Sequence, residues 1–320
     1  MPDRNRADKR TEQGNVSAQG APLMGLVRTL FPICRSITGD GVRHTLDVIG
    51  QQIHIQRYEI PTGTRAHDWE VPLEWNIRDA WIKNRHGERV VDFCKSNLHV
   101  VSYSVPVHEW MSLEQLRPHL HCLQDHPDWI PYRTSYYERN WGFCLAQREL
   151  ERMTDTHYEV YIDSMLAAGS LSFGEVVLPG QCEREVLFSA HICHPSLCND
   201  NLSGIAVAVA LAKALAARRQ RHNSYRFLFA PGTIGSVVWL SQRSDQLKKI
   251  IGGMTLVCLG DDRKFTYKKS VGGHAVIDRA AALVMGRTEG NVVDFHPYGY
   301  DERQFNSPGF RLPVGSLMRA

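Results

Sequence analysis

Apolar positions recur at helical spacing over Leu23–Phe31, where Pro32 stops them, and again over Val42–Ile49 after the turn residues Thr38-Gly39-Asp40-Gly41. Ile53–Ile60 then alternates apolar and polar, as a half-buried strand does, and Pro61-Thr62-Gly63 turns the chain. From Thr64 to Met153 the texture changes. Long apolar helices give way to a stretch dense in Trp, Tyr, His and Pro, holding Trp69, Trp75, Trp81, Trp110, Trp129 and Trp141. Short strands are expected there at Asp79–Asn84, Arg89–Asp92 and His99–Tyr103, so this stretch reads as a β-rich unit inserted into the main domain.

From residue 154 onward, strands and helices alternate. Strands are expected at Tyr158–Ile162, Leu171–Val177, Glu185–Ser189, Arg226–Ala230 and Ile250–Leu259. Helices are expected at Ile205–Leu215, Gly235–Gln242 and Ile277–Met285. Such alternation predicts an α/β fold with a mostly parallel sheet covered on both faces. The organisation that follows is a leader at 1–21, a core made of 22–63 and 154–320, and an insertion at 64–153. The leader is polar, is expected to be disordered, and has no apolar segment of the signal-peptide kind.

Composition narrows the function classes. At 43% hydrophobic and 22% charged residues the chain is ordinary for a globular protein, and a net charge of +3 without a Lys/Arg block implies no nucleic-acid partner. No apolar run reaches the ~18 residues of a membrane span. Eight scattered cysteines without CxxC pairs fit free thiols in a reducing cytoplasm.

The chemistry concentrates in Ser189-Ala190-His191-Ile192-Cys193-His194-Pro195-Ser196-Leu197-Cys198-Asn199-Asp200-Asn201-Leu202-Ser203-Gly204. A histidine ending one strand and an aspartate at the mouth of the next helix suit metal binding, since Zn²⁺ accepts both imidazole and carboxylate. The same residues also admit a plainer reading, with Asp200 or Asn201 capping the helix and the histidines in a surface loop. Ligands of α/β sheets sit at the carboxyl ends of strands. His191, Pro231-Gly232 and Gly260-Asp261-Asp262 all fall just beyond expected strand ends, within reach of one crevice.

The Asp200-Asn201-Leu202-Ser203-Gly204 string resembles the DNxSG signature of zinc aminopeptidases of the M28-like clan. Further strings extend the likeness along nearly the whole chain: Leu30-Phe31-Pro32-Ile33-Cys34-Arg35-Ser36-Ile37-Thr38-Gly39-Asp40-Gly41, Asp68-Trp69-Glu70-Val71-Pro72, Ile130-Pro131-Tyr132-Arg133-Thr134-Ser135-Tyr136-Tyr137 and Tyr298-Gly299-Tyr300-Asp301-Glu302-Arg303. Together they resemble the aminopeptidase-like DUF4910 family, whose inserted domain is called DUF2172. The resemblance implies a three-layer αβα core with one or two zinc ions. It makes His191 and Asp200 metal ligands, Asp261 (or its neighbour Asp262) a further carboxylate ligand, and His194 a second candidate ligand or a group that orients His191. Tyr300, Asp301 and Arg303 would line the substrate site, and a small peptide or amide-bearing metabolite would be hydrolysed.

The chain departs from that family at two places. Where the family carries Pro-Glu-Thr-Ile-Gly-Ser, this sequence reads Pro231-Gly232-Thr233-Ile234-Gly235-Ser236, so the glutamate that would serve as general base or ligand is a glycine. The chain also ends at Ala320, ahead of the segment in which the family carries a distal metal-binding histidine. The expectation is therefore an aminopeptidase-like metallohydrolase of impaired activity, C-terminally truncated. The alternative is a catalytically inactive homologue that binds a ligand or partner.

Overall fold

The computed structural model describes residues 20–136, 138–299 and 301–319. The expected leader therefore lies outside the described residues up to position 19, and Tyr300 lies outside them too. Helix α1 covers residues 20–30. It is followed by α2 (Asp40–Gly50), which buries Val42, Leu46, Val48 and Ile49 on one side. Strand β1 (Gln56–Pro61) comes next.

The chain then leaves the core and builds a separate four-stranded antiparallel sheet. Its strands are β2 (Glu74–Lys83), β3 (Arg89–Asp92), β4 (Val107–Ser112) and β5 (His157–Ala167), in the spatial order β3-β2-β5-β4. Alternate residues Tyr158, Val160 and Ile162 pack with Ala80, Ile82, Phe143 and Leu145 into a core of its own. Two expectations change here. The strand at Tyr158–Ile162 forms, but it pairs with this sheet and not with the large one, so the second sheet extends past residue 153 to Ala167. No strand forms over His99–Tyr103. Ser96 caps a 3₁₀ turn at Asn97–His99, and the buried His99 ring bonds the Cys144 carbonyl at 2.8 Å, which leaves only isolated bridges at Val100 and Ser102.

The return to the core makes β6 (Ser170–Leu178), β7 (Glu185–His191), α3 (Gly204–Ala216), β8 (Ser224–Ala230), α4 (Ile234–Gln242), β9 (Ile250–Leu256), β10 (Phe265–Lys268), α5 (Val276–Arg287), β11 (Asn291–Val293), α6 (Asp301–Phe305) and β12 (Val314–Arg319). The large sheet runs β1-β6-β8-β7-β9-β12-β10-β11. Its centre, β8-β7-β9-β12, is parallel as expected, while β1, β6 and the β10–β12 contact are antiparallel, so the sheet is mixed.

Strand alternation sends side chains to two covered faces. Phe188, Ala190, Phe227 and Phe229 pack under α1, α2 and α3. Leu187, Leu228 and Ala230 pack with Val238 and Trp239 of α4 and Phe305 of α6. This is why the central strands read as continuous apolar runs, and each buried phenylalanine contributes about 1.5–3 kcal/mol. Trp75 and Tyr103 belong to the second of these cores, stacked at 5.8 Å, and so fasten the smaller sheet to the larger. Among the described residues no helix is long and apolar enough to cross a membrane.

Candidate metal centre

His191 is the last residue of β7, on a strand buried on both faces, and its ring is almost wholly enclosed. The chain then loops through Cys193 and His194 and reaches Asp200 at an irregular segment, Cys198–Ser203, that leads into α3. The cap of α3 is Ser203, without a side-chain cap bond, so neither Asp200 nor Asn201 serves as the helix cap.

The residues following Asp200 explain why this string folds as it does. Asn201 donates to the Leu256 carbonyl at 3.0 Å and accepts from the Cys258 N–H at 3.2 Å, clamping the segment to the end of β9. The Ser203 hydroxyl accepts from the Leu259 N–H at 2.8 Å and donates to the Asn199 carbonyl at 2.6 Å. A Cβ at Gly204 would stand 2.2 Å from the Leu256 carbonyl oxygen, so only glycine lets the helix start this close to β9.

The result is a compact donor set. His191 Nε2 lies 2.8 Å from Asp200 Oδ1, and His194 Nδ1 lies 3.3 Å from Asp200 Oδ2. The three donor atoms fall within 4.8 Å of one another. Burial opposes the Asp200 charge, but hydrogen bonds to and the positive character of His191 and His194 win and hold its carboxyl far below the usual carboxylate range. Burial likewise disfavours a charged His194, yet Cys193 and Asp200 beside it raise its pKa well above the ordinary imidazole value. Two imidazoles and a carboxylate of this compactness match the three-ligand pattern of catalytic zinc, which keeps a fourth position open.

A cleft of about 250 Å³ borders the cluster, lined by Ile37, Tyr136, Cys193, His194, Gly232 and Thr233 among others. Gly232 donates its N–H to Cys193 Sγ at 3.2 Å. A Cβ built there meets His191 Cβ at 3.4 Å and Cys193 Sγ at 3.5 Å, ordinary contact distances, so a side chain fits beside the histidine.

The other expected site residues stand elsewhere. Asp261 is not part of the cluster, because its carboxylate is taken by Arg263 Nε at 2.9 Å and Asn199 Nδ2 at 3.0 Å. Asp262 is exposed. His194, the other candidate, is the third donor. Asp301, expected to meet substrate, is buried and accepts from the Thr233 N–H at 2.7 Å. It thereby anchors the turn that carries Gly232, whose neighbour Thr233 has a positive φ of 61°. Burial pushes the Asp301 carboxyl up in pKa, against the pull of His191 and the Thr233 N–H. Arg303 is exposed, and among the described residues it pairs with neither Asp301 nor Glu302, the latter being bound to Lys268 at 2.6 Å.

Two groups at the site escape a reading from spacing. The Arg35 side chain, buried in the core, donates to the His194 carbonyl at 3.0 Å and to the Leu30 carbonyl at 2.6 Å, fixing the loop from beneath. Tyr132, from the expected insertion, sets its ring 5.0 Å from the His194 ring and its hydroxyl 2.8 Å from that of Tyr136. Both lie in strings quoted above, where only the likeness to the family marked them.

Comparison with known proteins bears on the family and the fold. A protein of Clostridium acetobutylicum, named for polysaccharide biosynthesis and an aminopeptidase-like domain, is 51% identical over 308 residues, which are 96% of this chain and 71% of that one. The crystal structure of a C. acetobutylicum protein described as a candidate peptidase superposes with a TM-score of 0.94 at 49% identity, covering 98% of this chain and 75% of the other. BSAP, a zinc aminopeptidase from Bacillus subtilis, shares the fold with a TM-score of 0.63 at 12% identity, over 94% of this chain and 84% of its own. The family model described as "Domain of unknown function (DUF4910)" matches residues 24–320. On these grounds the chain is aminopeptidase-like and belongs to the DUF4910 family.

Proposed function

We propose that this chain is a zinc-dependent metallohydrolase that cleaves an amide bond in a small peptide or amide-bearing metabolite, with activity held low by Gly232. The observation that carries the reading is the His191–His194–Asp200 donor set at the carboxyl end of β7, opening onto a cleft. His191, His194 and Asp200 would hold the ion. A zinc ion in such a site supplies Lewis-acid polarisation of the amide carbonyl. Asp200 stays ionised across neutral pH and fixes the two imidazoles. Arg35 keeps the His194 backbone in place, and Tyr136, held through its hydroxyl by Tyr132, lines the cleft. What the cleft wants is a proton acceptor beside His191, where Gly232 brings no side chain. Absence of a general base typically costs ~10²–10⁴-fold in rate.

The reading also assigns the aromatic segment within 64–153 to the DUF2172 type and, from the eight free thiols, places the chain in the cytoplasm. The test is metal analysis of the purified protein beside an aminoacyl-amide hydrolysis assay. We expect about one zinc per chain and slow hydrolysis that a chelator abolishes.

A second reading is favoured by one observation, the space at Gly232 in the wall of the cleft. In that reading the chain is an inactive homologue that binds a ligand or partner. A folded protein that binds no zinc and turns over no amide would establish it and remove the first.

A further inference from the structure

We propose that a polar pocket between Arg133 and Trp141 binds a carboxylate-bearing group of the substrate, beside the cleft of the metal centre. The claim about substrate rests on the hydrolase reading; the claim about binding stands without it. The pocket has a volume of about 350 Å³, enough for one amino-acid or monosaccharide unit. Its wall carries Arg133, Thr134, Ser135, Glu138, Asn140 and Trp141.

Arg133 is exposed, and no carboxylate among the described residues ion-pairs with it. A planar guanidinium in that state is suited to bidentate contact with a carboxylate. His121 also lines the pocket, and burial together with the nearby Arg133 lowers its pKa, so Arg133 is the permanent cation there. Glu138 in the same wall repels a dianion such as phosphate. It accepts from a hydroxyl or ammonium lying next to the carboxylate. The chemistry selected is thus a monocarboxylate with an adjacent hydrogen-bond donor, as a uronic acid and a peptide terminus both possess.

The wall is built in advance. The Ser102 N–H donates to the Arg133 carbonyl at 2.9 Å and the Ser135 N–H to the Ser102 carbonyl at 2.8 Å, so the backbone either side of Thr134 is pinned. Asn140 Oδ1 accepts from the Trp141 N–H at 2.8 Å, which leaves its amide N–H groups as what it offers a ligand. The His119 ring lies parallel to Trp141 at 3.7 Å and braces the indole. Such preorganisation lowers the ordering cost of binding. Tyr136 lines both this pocket and the cleft of Cys193, His194 and Gly232, so the two cavities are neighbours.

The experiment is calorimetric titration of the full chain, free of added metal, with glucuronate and with glycylglycine. Glucose, glycylglycinamide and inorganic phosphate are the comparison probes. At least one carboxylate should bind at least ~10-fold more tightly than its uncharged-end counterpart, and Arg133→Gln should remove that advantage, as loss of one charge-assisted contact does. Preference for glucuronate assigns a sugar acid, and preference for glycylglycine a peptide end. Circular dichroism of Arg133→Gln checks that the exposed substitution leaves the fold intact. Carboxylates that bind no better than their counterparts, phosphate that binds tightest, or affinity untouched by Arg133→Gln would each overturn the proposal. Asp200→Asn separates the two claims. Carboxylate affinity that survives this change shows the pocket to be independent of the metal centre, and an unaltered chain found to bind no zinc while keeping that affinity removes only the hydrolase reading.

Discussion

Strand β7 begins at one buried polar cluster and ends at another. At its first residue, Glu185 meets Arg226 at 2.6 Å, Arg226 meets Glu175 at 2.7 Å, and Arg243 closes on Glu175 at 3.0 Å, with the Trp239 indole N–H donating to the same carboxylate. Two guanidinium groups face two carboxylates, and each of these four charges is answered. At its last residue, His191 meets Asp200, Asp200 also meets His194, and His194 lines a cleft. The difference teaches how to tell a strut from a site on one strand. A closed cluster fixes the register of three strands. An open one holds donor atoms together and keeps room for something else.

The comparison can be broken, and the largest effect lies at the open end. Gly232→Glu places a carboxylate near His191, where an added Cβ meets only ordinary contact distances. It should raise amide hydrolysis by ~10²–10⁴-fold in a continuous assay with zinc supplied. An unchanged rate would mean that Gly232 is not what limits this cleft.

The closed cluster should answer in stability. Arg226→Met leaves Glu175 and Glu185 without their shared partner in the sheet and should cost about 3–5 kcal/mol in urea denaturation. Asp200→Asn, at a side chain still 27% exposed, should cost no more than about 1 kcal/mol by the same method. Equal losses would make both clusters struts.

Metal binding should separate the ends in the opposite sense. Asp200→Asn removes a donor and should weaken zinc by at least the ~10–100-fold typical of perturbing such a site, while Arg226→Met should leave zinc affinity of the folded fraction unchanged. Equilibrium dialysis with a competing chelator reads this.

The smallest effect concerns a third cluster, where the two sheets join. Glu74 of β2 bonds Arg43 of α2 at 2.6 Å and the Ser170 N–H at the start of β6 at 2.8 Å, and Arg43 lowers its pKa to about 2 against a partial burial penalty. A carboxyl depressed in the folded state stabilises above its unfolded pKa. That stability is lost as pH falls through the folded value. Stability should therefore decline between about pH 4.5 and pH 2. Glu74→Gln should flatten this limb at a cost at neutral pH of about 1–2 kcal/mol, screened as a partly exposed pair is.

How far the chain was readable depends on the range of the forces involved. The strands at Glu185–His191 and Ser224–Ala230 announce themselves because both faces are covered, and α3 because alanine and valine follow a glycine that β9 requires. His99–Tyr103 misleads, since its apolar residues are buried by the aromatic core and a side-chain bond to Cys144, not by a ladder. Asp261 looks like a ligand at a strand end, yet Arg263 two residues on captures it, a local signal that strand position overshadowed.

The alternation of core elements, the closeness of His191 and Asp200 across one strand–helix junction, and the glycine at position 232 are legible along the chain, because they depend on near neighbours and residue identity. Packing alone settles that β5 joins the smaller sheet and that His194 comes beside His191 and Asp200. It also settles that Asp301 anchors a turn, that Tyr132 sets its ring beside His194, and that Tyr136 lines the cleft from some sixty residues away. Those outcomes turn on which buried groups find partners once the two sheets pack. That competition among distant contacts leaves no periodic trace along the chain.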